Sequence, residues 1–254
     1  MVASTGGIET GQARIYFQEE RMRSLAPVFA SLVLSVLAVW DASASPLSVD
    51  QKVRNTLQLD QNAARGKQLY HSYCAQCHGA AALGSAGKAI PSLAGQRRAY
   101  LVKQLADFSE EERSNREMHA VVSQPVLSDE QAWADLSGYV NSLPRASFPQ
   151  TGDGRGLELG EAIFQDQCAS CHEEDGRGDD DGFIPSLRDQ HYSYLVRQMR
   201  SIASWHRLNV DADLVRYLDS LDTEEATAVA DYLSRMRGPI KNRDRMNNDG
   251  TVNN

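Results

Sequence analysis

A shift of 94 positions lays the second half of this chain on the first. Gly66-Lys67-Gln68-Leu69-Tyr70 meets Gly160-Glu161-Ala162-Ile163-Phe164, and Ile90-Pro91-Ser92-Leu93 meets Ile184-Pro185-Ser186-Leu187. Tyr100-Leu101-Val102-Lys103-Gln104 meets Tyr194-Leu195-Val196-Arg197-Gln198, and Leu127 meets Leu221. The register slips by one only near the end, where Tyr139 meets Tyr232. A fixed period decides the architecture ahead of any local propensity, so the chain reads as two copies of one domain of about ninety residues. The first copy is expected at 48–144 and the second at 156–237, joined by a linker at 145–155 that carries Pro149, Gly152 and Gly154. A domain of this size has a marginal core on apolar area alone.

Each copy contains one C-x-x-C-H sequence, Cys74-Ala75-Gln76-Cys77-His78 and Cys168-Ala169-Ser170-Cys171-His172, and these use all 4 cysteines. The pattern reads as a c-type haem attachment site. Two thiols at i and i+3 fit one helical turn, so both can form thioethers to the two vinyl groups of one porphyrin. The histidine that follows then sits under the iron as proximal ligand. A redox dithiol or a zinc knuckle also uses C-x-x-C, but neither needs a histidine directly after each pair. Two covalently attached haem c groups are therefore expected, supplying the apolar centre that each half lacks.

Apolar periodicity predicts helices over Gly66–Cys77, Tyr100–Phe108 and Asp129–Leu143 in the first copy. Ser128 with Gln131 suggests a capping box for the last of these, and Pro144 ends it. The second copy should mirror them at Leu157–Cys171, Tyr194–Ile202 and Thr223–Met236, with Thr223 as cap and Ala226 where a box wants Glu or Gln. Gly79–Gly95 reads as loop.

The net charge of −8 argues against a nucleic-acid partner. Arg21 and Arg23, an apolar run Leu25–Trp40 and Ala42-Ser43-Ala44 have the form of a secretory signal peptide, so residues 1–44 are expected to be extension and signal, with Met22 an alternative start. The mature protein is then periplasmic, and membrane attachment follows only if the segment stays uncleaved. The Asn-rich tail 238–254 reads as disordered.

The paired C-x-x-C-H motifs, the two I-P-S-L segments, the two Y-L-V-[KR]-Q helices and the Leu127-Ser128-Asp129-Glu130 helix opening resemble the dihaem class I cytochromes c, most of all the cytochrome c4 family, across nearly all of residues 50–237. The resemblance implies an all-α fold of two tandem class I cytochrome c domains, each wrapped around one haem. It also implies that the Pro91 and Pro185 carbonyls brace the proximal histidines. Tyr100 and Tyr194 would reach haem propionates, with plain amphipathic packing as the alternative.

A methionine usually supplies the sixth ligand in this class, which raises the potential. Met118, between the Tyr100 helix and the last helix, is the candidate in the first copy, with adjacent His119 in reserve. Its mate at a shift of 94 is Ala212, although Arg113 still meets Arg207 and Asn115 meets Asn209. Met199 and Met236 fall on the core positions of Leu105 and Leu143, and Met246 lies in the tail. His206 is therefore the expected ligand of the second iron, opposite His172; the alternative is an iron left five-coordinate. Histidine ligation would lower the second potential relative to the first. His191, the mate of Arg97, is expected at the surface, and His71 suggests no role.

The acidic loop Glu173–Gly182 suggests a solvated face that steers a basic partner, with calcium as a weaker reading. The function expected is that of a periplasmic carrier of single electrons between redox partner proteins, a terminal oxidase or a reductase among them, with no catalytic residue. Two alternatives stay open: a haem enzyme or ligand sensor using an open site on the second iron, and a subunit of a larger redox complex.

Overall fold

The computed structural model describes residues 48–146, 148–207 and 209–238. The signal segment, Met246 and the tail beyond Gly238 lie outside the described residues. Helices account for the regular structure there, apart from two isolated antiparallel bridges.

In the first repeat, α1 (Val49–Gln58) precedes α2 (Ala63–Leu69), a π-helical turn Tyr70–Cys74 and α3 (Ala75–His78). Then follow α4 (Arg98–Ser109), α5 (Arg116–Val122) and α6 (Glu130–Ser142). The second repeat gives α7 (Leu157–Ile163), a π-helical turn Phe164–Cys168 and α8 (Ala169–His172). It ends with α9 (Tyr192–Ala203), α10 (Ala212–Ser220) and α11 (Thr223–Arg235). The helices α1, α5 and α10 were not expected. Each begins at a side-chain cap, Ser48, Asn115 and Asp211 respectively, in a stretch whose apolar pattern is too short to announce a helix.

The helix α2 crosses α6, and α7 crosses α11, in close contact. A Cβ at Gly66 would lie 2.1 Å from the Asp135 carbonyl oxygen, and one at Gly160 would lie 2.2 Å from that of Ala228. Only glycine lets the backbones approach so closely. Around these crossings sit the two cores. One joins Leu69, Tyr70, Leu101, Leu127, Leu136 and Val140, and the other Phe164, Leu195, Val229 and Leu233. Met199 and Met236 pack on the second. A further cluster of Val53, Val102, Ala106 and Trp133 holds α1 against α4 and α6.

Both expected caps are corrected. Asp129 caps α6, accepting from the Ala132 N–H at 2.6 Å, while Ser128 donates back to the Pro125 carbonyl at 3.0 Å. Asp222 caps α11 in a true box with Glu225, one residue ahead of Thr223 and Ala226. In both cases a carboxylate, favoured by the positive end of the helix, takes the place expected for a hydroxyl.

Candidate haem attachment sites

The local construction of the two sites is the same. The π-helical turn, in which the Ala75 N–H reaches back to the Tyr70 carbonyl and the Ala169 N–H to that of Phe164, delivers the first cysteine of each motif. Such wide turns recur at functional positions. The loop that follows is pinched by a bridge between Ser85 and Ile90, or between Asp179 and Ile184. Gly84 (φ +74°) and Gly178 (φ +67°) make the pinch possible. A Cβ there would meet the Ile90 and Ile184 carbonyl oxygens at 2.4 Å.

This pinch aims a proline carbonyl at each histidine. His78 Nδ1 lies 3.2 Å from Pro91 O, and His172 Nδ1 lies 3.1 Å from Pro185 O. The carbonyl accepts, so Nδ1 carries the hydrogen and Nε2 keeps its lone pair. Neither Nε2 has a hydrogen-bond partner among the described residues. Burial holds both imidazoles below their ordinary pKa, which keeps the nitrogen unprotonated and fit to bind a metal; the proline bond works against this.

The donor set suits a covalent haem. All four thiols are free, with Cys74 and Cys168 half-buried and Cys77 and Cys171 exposed. Burial pushes Cys74 up to about 12 and Cys168 up to about 11, with the second thiol of each pair adding to it. A redox dithiol needs the reverse, a lowered thiol pKa. Among the described residues no group of three or more His, Cys, Asp and Glu side chains is placed to hold a bare metal ion. A porphyrin iron needs only the axial nitrogen.

The sixth-ligand candidates are placed differently in the two repeats. Met118 lies half-buried on α5, its backbone N–H held by the Asn115 side chain at 2.8 Å. His119 turns Nδ1 to the Phe108 carbonyl at 2.9 Å. His206 is exposed on the turn between α9 and α10, with Nδ1 2.8 Å from Ser204 Oγ and its peptide N–H on the Ser201 carbonyl. The Met236 side chain lies against Gly176, in the loop after the second motif: a Cβ on Gly176 would meet its sulfur at 3.0 Å.

Tyr100 and Tyr194 face the opposite repeat. The Tyr100 hydroxyl accepts from Arg207 Nη2 at 3.2 Å, and the Tyr194 hydroxyl accepts from Arg113 Nη2 at 3.1 Å. Gln198 Oε1 accepts from both arginines, at 2.7 Å from Arg113 and 2.9 Å from Arg207. Burial works to raise the Tyr100 phenol, but Arg207 and then Arg113 outweigh it and hold the pKa below the ordinary tyrosine value.

Sequence reasoning missed the centre of the interface. Gln190 accepts from the Ser92 N–H at 2.9 Å and donates to the Ser92 carbonyl at 3.0 Å. Gln96 does the same to Ser186, at 2.7 and 2.9 Å. All four residues are buried. The conspicuous signal was the repeat itself, since Gln96 and Gln190 are mates at a shift of 94. His191 is corrected from surface to interface: it is buried, its Nε2–H donates to Leu83 O at 2.8 Å, and its Nδ1 accepts from the Gln150 N–H at 3.2 Å. The acidic loop also reaches the interface. Asp180 pairs with Arg97 and accepts from the Ala99 N–H across the interface, Glu173 pairs with Arg177, and Asp175 pairs with Arg188. Glu174, Asp179 and Asp181 carry no ion pair among the described residues, so the loop keeps part of its acidic face.

Two helical repeats, each presenting a paired-thiol turn and a carbonyl-braced histidine, define a protein built to hold two covalent haems. The sequence model of the cytochrome c family matches residues 63–144 and 157–237, and the chain belongs to that family, twice over in tandem. It is 31% identical over 198 residues to the thiosulfate dehydrogenase electron acceptor of Stutzerimonas stutzeri, covering 71% of this chain and 90% of that one. It is 29% identical over 182 residues to cytochrome c4 of Pseudomonas aeruginosa, covering 68% and 87%. Its fold is shared with the crystal structure of reduced cytochrome c4 from Pseudomonas stutzeri, at a TM-score of 0.61 and 24% identity over 70% of this chain and all of that one. A thiosulfate dehydrogenase of Marichromatium purpuratum matches at a TM-score of 0.59 and 27% identity, over 68% of this chain and 40% of that one. The chain is thus a cytochrome c4-like protein carrying two haem c groups.

Proposed function

We propose that this protein is a periplasmic carrier that moves single electrons between redox partner proteins. The observation that carries the reading is the reciprocal clamp between the attachment loops: Ser92 and Ser186, each one residue beyond a histidine-bracing proline, are bonded directly into the opposite repeat. A relay between two sites needs them held in one fixed relation, and this interface supplies it.

Each haem c, when bound, supplies an iron that gains or loses one electron between its ferric and ferrous states. Cys74 and Cys77, and Cys168 and Cys171, hold the two groups by thioethers. His78 and His172 offer Nε2 as proximal donors, and the Pro91 and Pro185 carbonyls fix each ring and make that nitrogen more basic. Met118 serves as sixth ligand in the first repeat and keeps its potential high. The likeness to a thiosulfate dehydrogenase electron acceptor supports a dehydrogenase as donor; a terminal oxidase or reductase is the acceptor class.

Film voltammetry of the holoprotein tests this. The expected result is two reversible one-electron waves, the higher of them lowered in Met118→His. A protein that takes up fewer than two electrons reversibly, or that oxidises a small substrate unaided, is not a carrier of this kind.

A further inference from the structure

The two distal helices start in different registers. In the first repeat Asn115 caps α5, and the third helical residue is Met118, half-buried. In the second repeat Asp211 caps α10, and the third helical residue is Leu214, also half-buried. Counting by 94 pairs Met118 with Ala212, yet Ala212 is exposed at the first position of α10. The helix begins two residues later in the second repeat, so position within the helix pairs Met118 with Leu214. Leucine has no donor atom.

The face that α10 withdraws from solvent is Leu214, Val215, Tyr217 and Leu218, while Asp213, Arg216 and Asp219 are exposed. The helix α10 packs on α9, whose Leu195, Val196 and Met199 share a cluster with Cys168 and Ala169, so it lies on the side of the second attachment motif. The other donors of the repeat are placed elsewhere: His206 on the exposed turn with Nδ1 at Ser204, Met199 on the apolar cluster, and Met236 against Gly176.

We infer that Leu214 takes the sixth-ligand position in the second repeat, so that the ferrous second haem binds a small uncharged ligand of the carbon monoxide or nitric oxide class, against an apolar wall of Leu214 and Leu218. The inference rests on the reading that each repeat holds a histidine-ligated haem c. Binding is simple coordination to reduced iron, with no electron transferred to the ligand. Met118 closes the corresponding position in the first repeat.

The test uses purified holoprotein, reduced with dithionite and titrated with carbon monoxide while the Soret band is followed. One of the two haems should bind. Leu214→Met should abolish that binding and give the near-infrared charge-transfer band of methionine ligation in the ferric protein. Met118→Leu should raise the count to two haems, and His206→Ala should change nothing. No binding in the wild type overturns the inference; binding gained only in His206→Ala assigns His206 as ligand instead. Pyridine haemochrome counting separates the two levels. Fewer than two haems per chain sinks the cofactor reading, whereas two haems without carbon monoxide binding sinks only the role of Leu214.

Discussion

Gln96 and Gln190 each close a two-point amide clamp on the serine backbone of the opposite repeat, with distances between 2.7 and 3.0 Å. The clamps are reciprocal because the two residues are mates at a shift of 94, and both are buried. Each satisfies one N–H and one C=O that would otherwise be sealed from water. Gln190→Leu orphans both groups of Ser92. It should cost about 1–3 kcal/mol for each group left unpaired, read as a lowered midpoint in urea unfolding. A change within the ~0.5 kcal/mol of an ordinary surface substitution would show that the clamp contributes nothing.

The helix crossings make a sharper steric claim. Gly160→Ala drives a methyl to 2.2 Å from the Ala228 carbonyl oxygen, and Gly66→Ala does the same against Asp135. Each should destabilise by about 1–3 kcal/mol or more through overpacking. Gly87→Ala, where a Cβ meets nothing within 4 Å, is the control and should be near neutral. Thermal unfolding of the three holoproteins compares them directly.

The interface should strengthen in mild alkali. Burial opposes ionisation of Tyr100, but Arg207 and Arg113 outweigh it and lower its folded pKa. The unfolded tyrosine titrates near ~10. Between the lowered folded value and ~10 the unfolded state holds more protons, so stability rises with pH across that window and is lost again as pH falls through the folded value. Chemical unfolding from pH 7 to 10 should show a rise in the wild type that is missing in Tyr100→Phe. Parallel curves for the two proteins would refute the arginine effect.

Haem loading should be separable by repeat. Replacing Cys168 and Cys171 with alanine removes the second attachment and should leave one haem per chain, held by Cys74 and Cys77. Intact mass and haemochrome absorbance measure this. Retention of two covalent haems would mean that attachment does not depend on these thiols.

Much of the site was legible because its geometry is local. Cys74, Cys77 and His78 fall within one turn, and the Pro91 and Pro185 carbonyls meet the histidines 13 residues away, across a loop that Gly84 and Gly178 pinch shut. The repeat carried each such reading to the other half of the chain. Counting positions failed where a helix changed register: Ala212 is the arithmetic mate of Met118, but Leu214 has its helical position. It failed also where a partner comes from the other repeat. His191 looked like a surface residue beside its mate Arg97, and its burial depends on Leu83, 108 positions away.

From the sequence alone come the tandem repeat, which follows from a fixed period, and the two haem c attachments, which follow from spacing within a turn; the all-α class came with the resemblance that those motifs carry. Only the tertiary structure decided how the two halves meet. Arg113 on Tyr194, Arg207 on Tyr100 and the two glutamine clamps join groups 81 to 107 residues apart. No local pattern specifies such partners, because a buried polar group finds its match through the packing of whole helices and not through its neighbours along the chain.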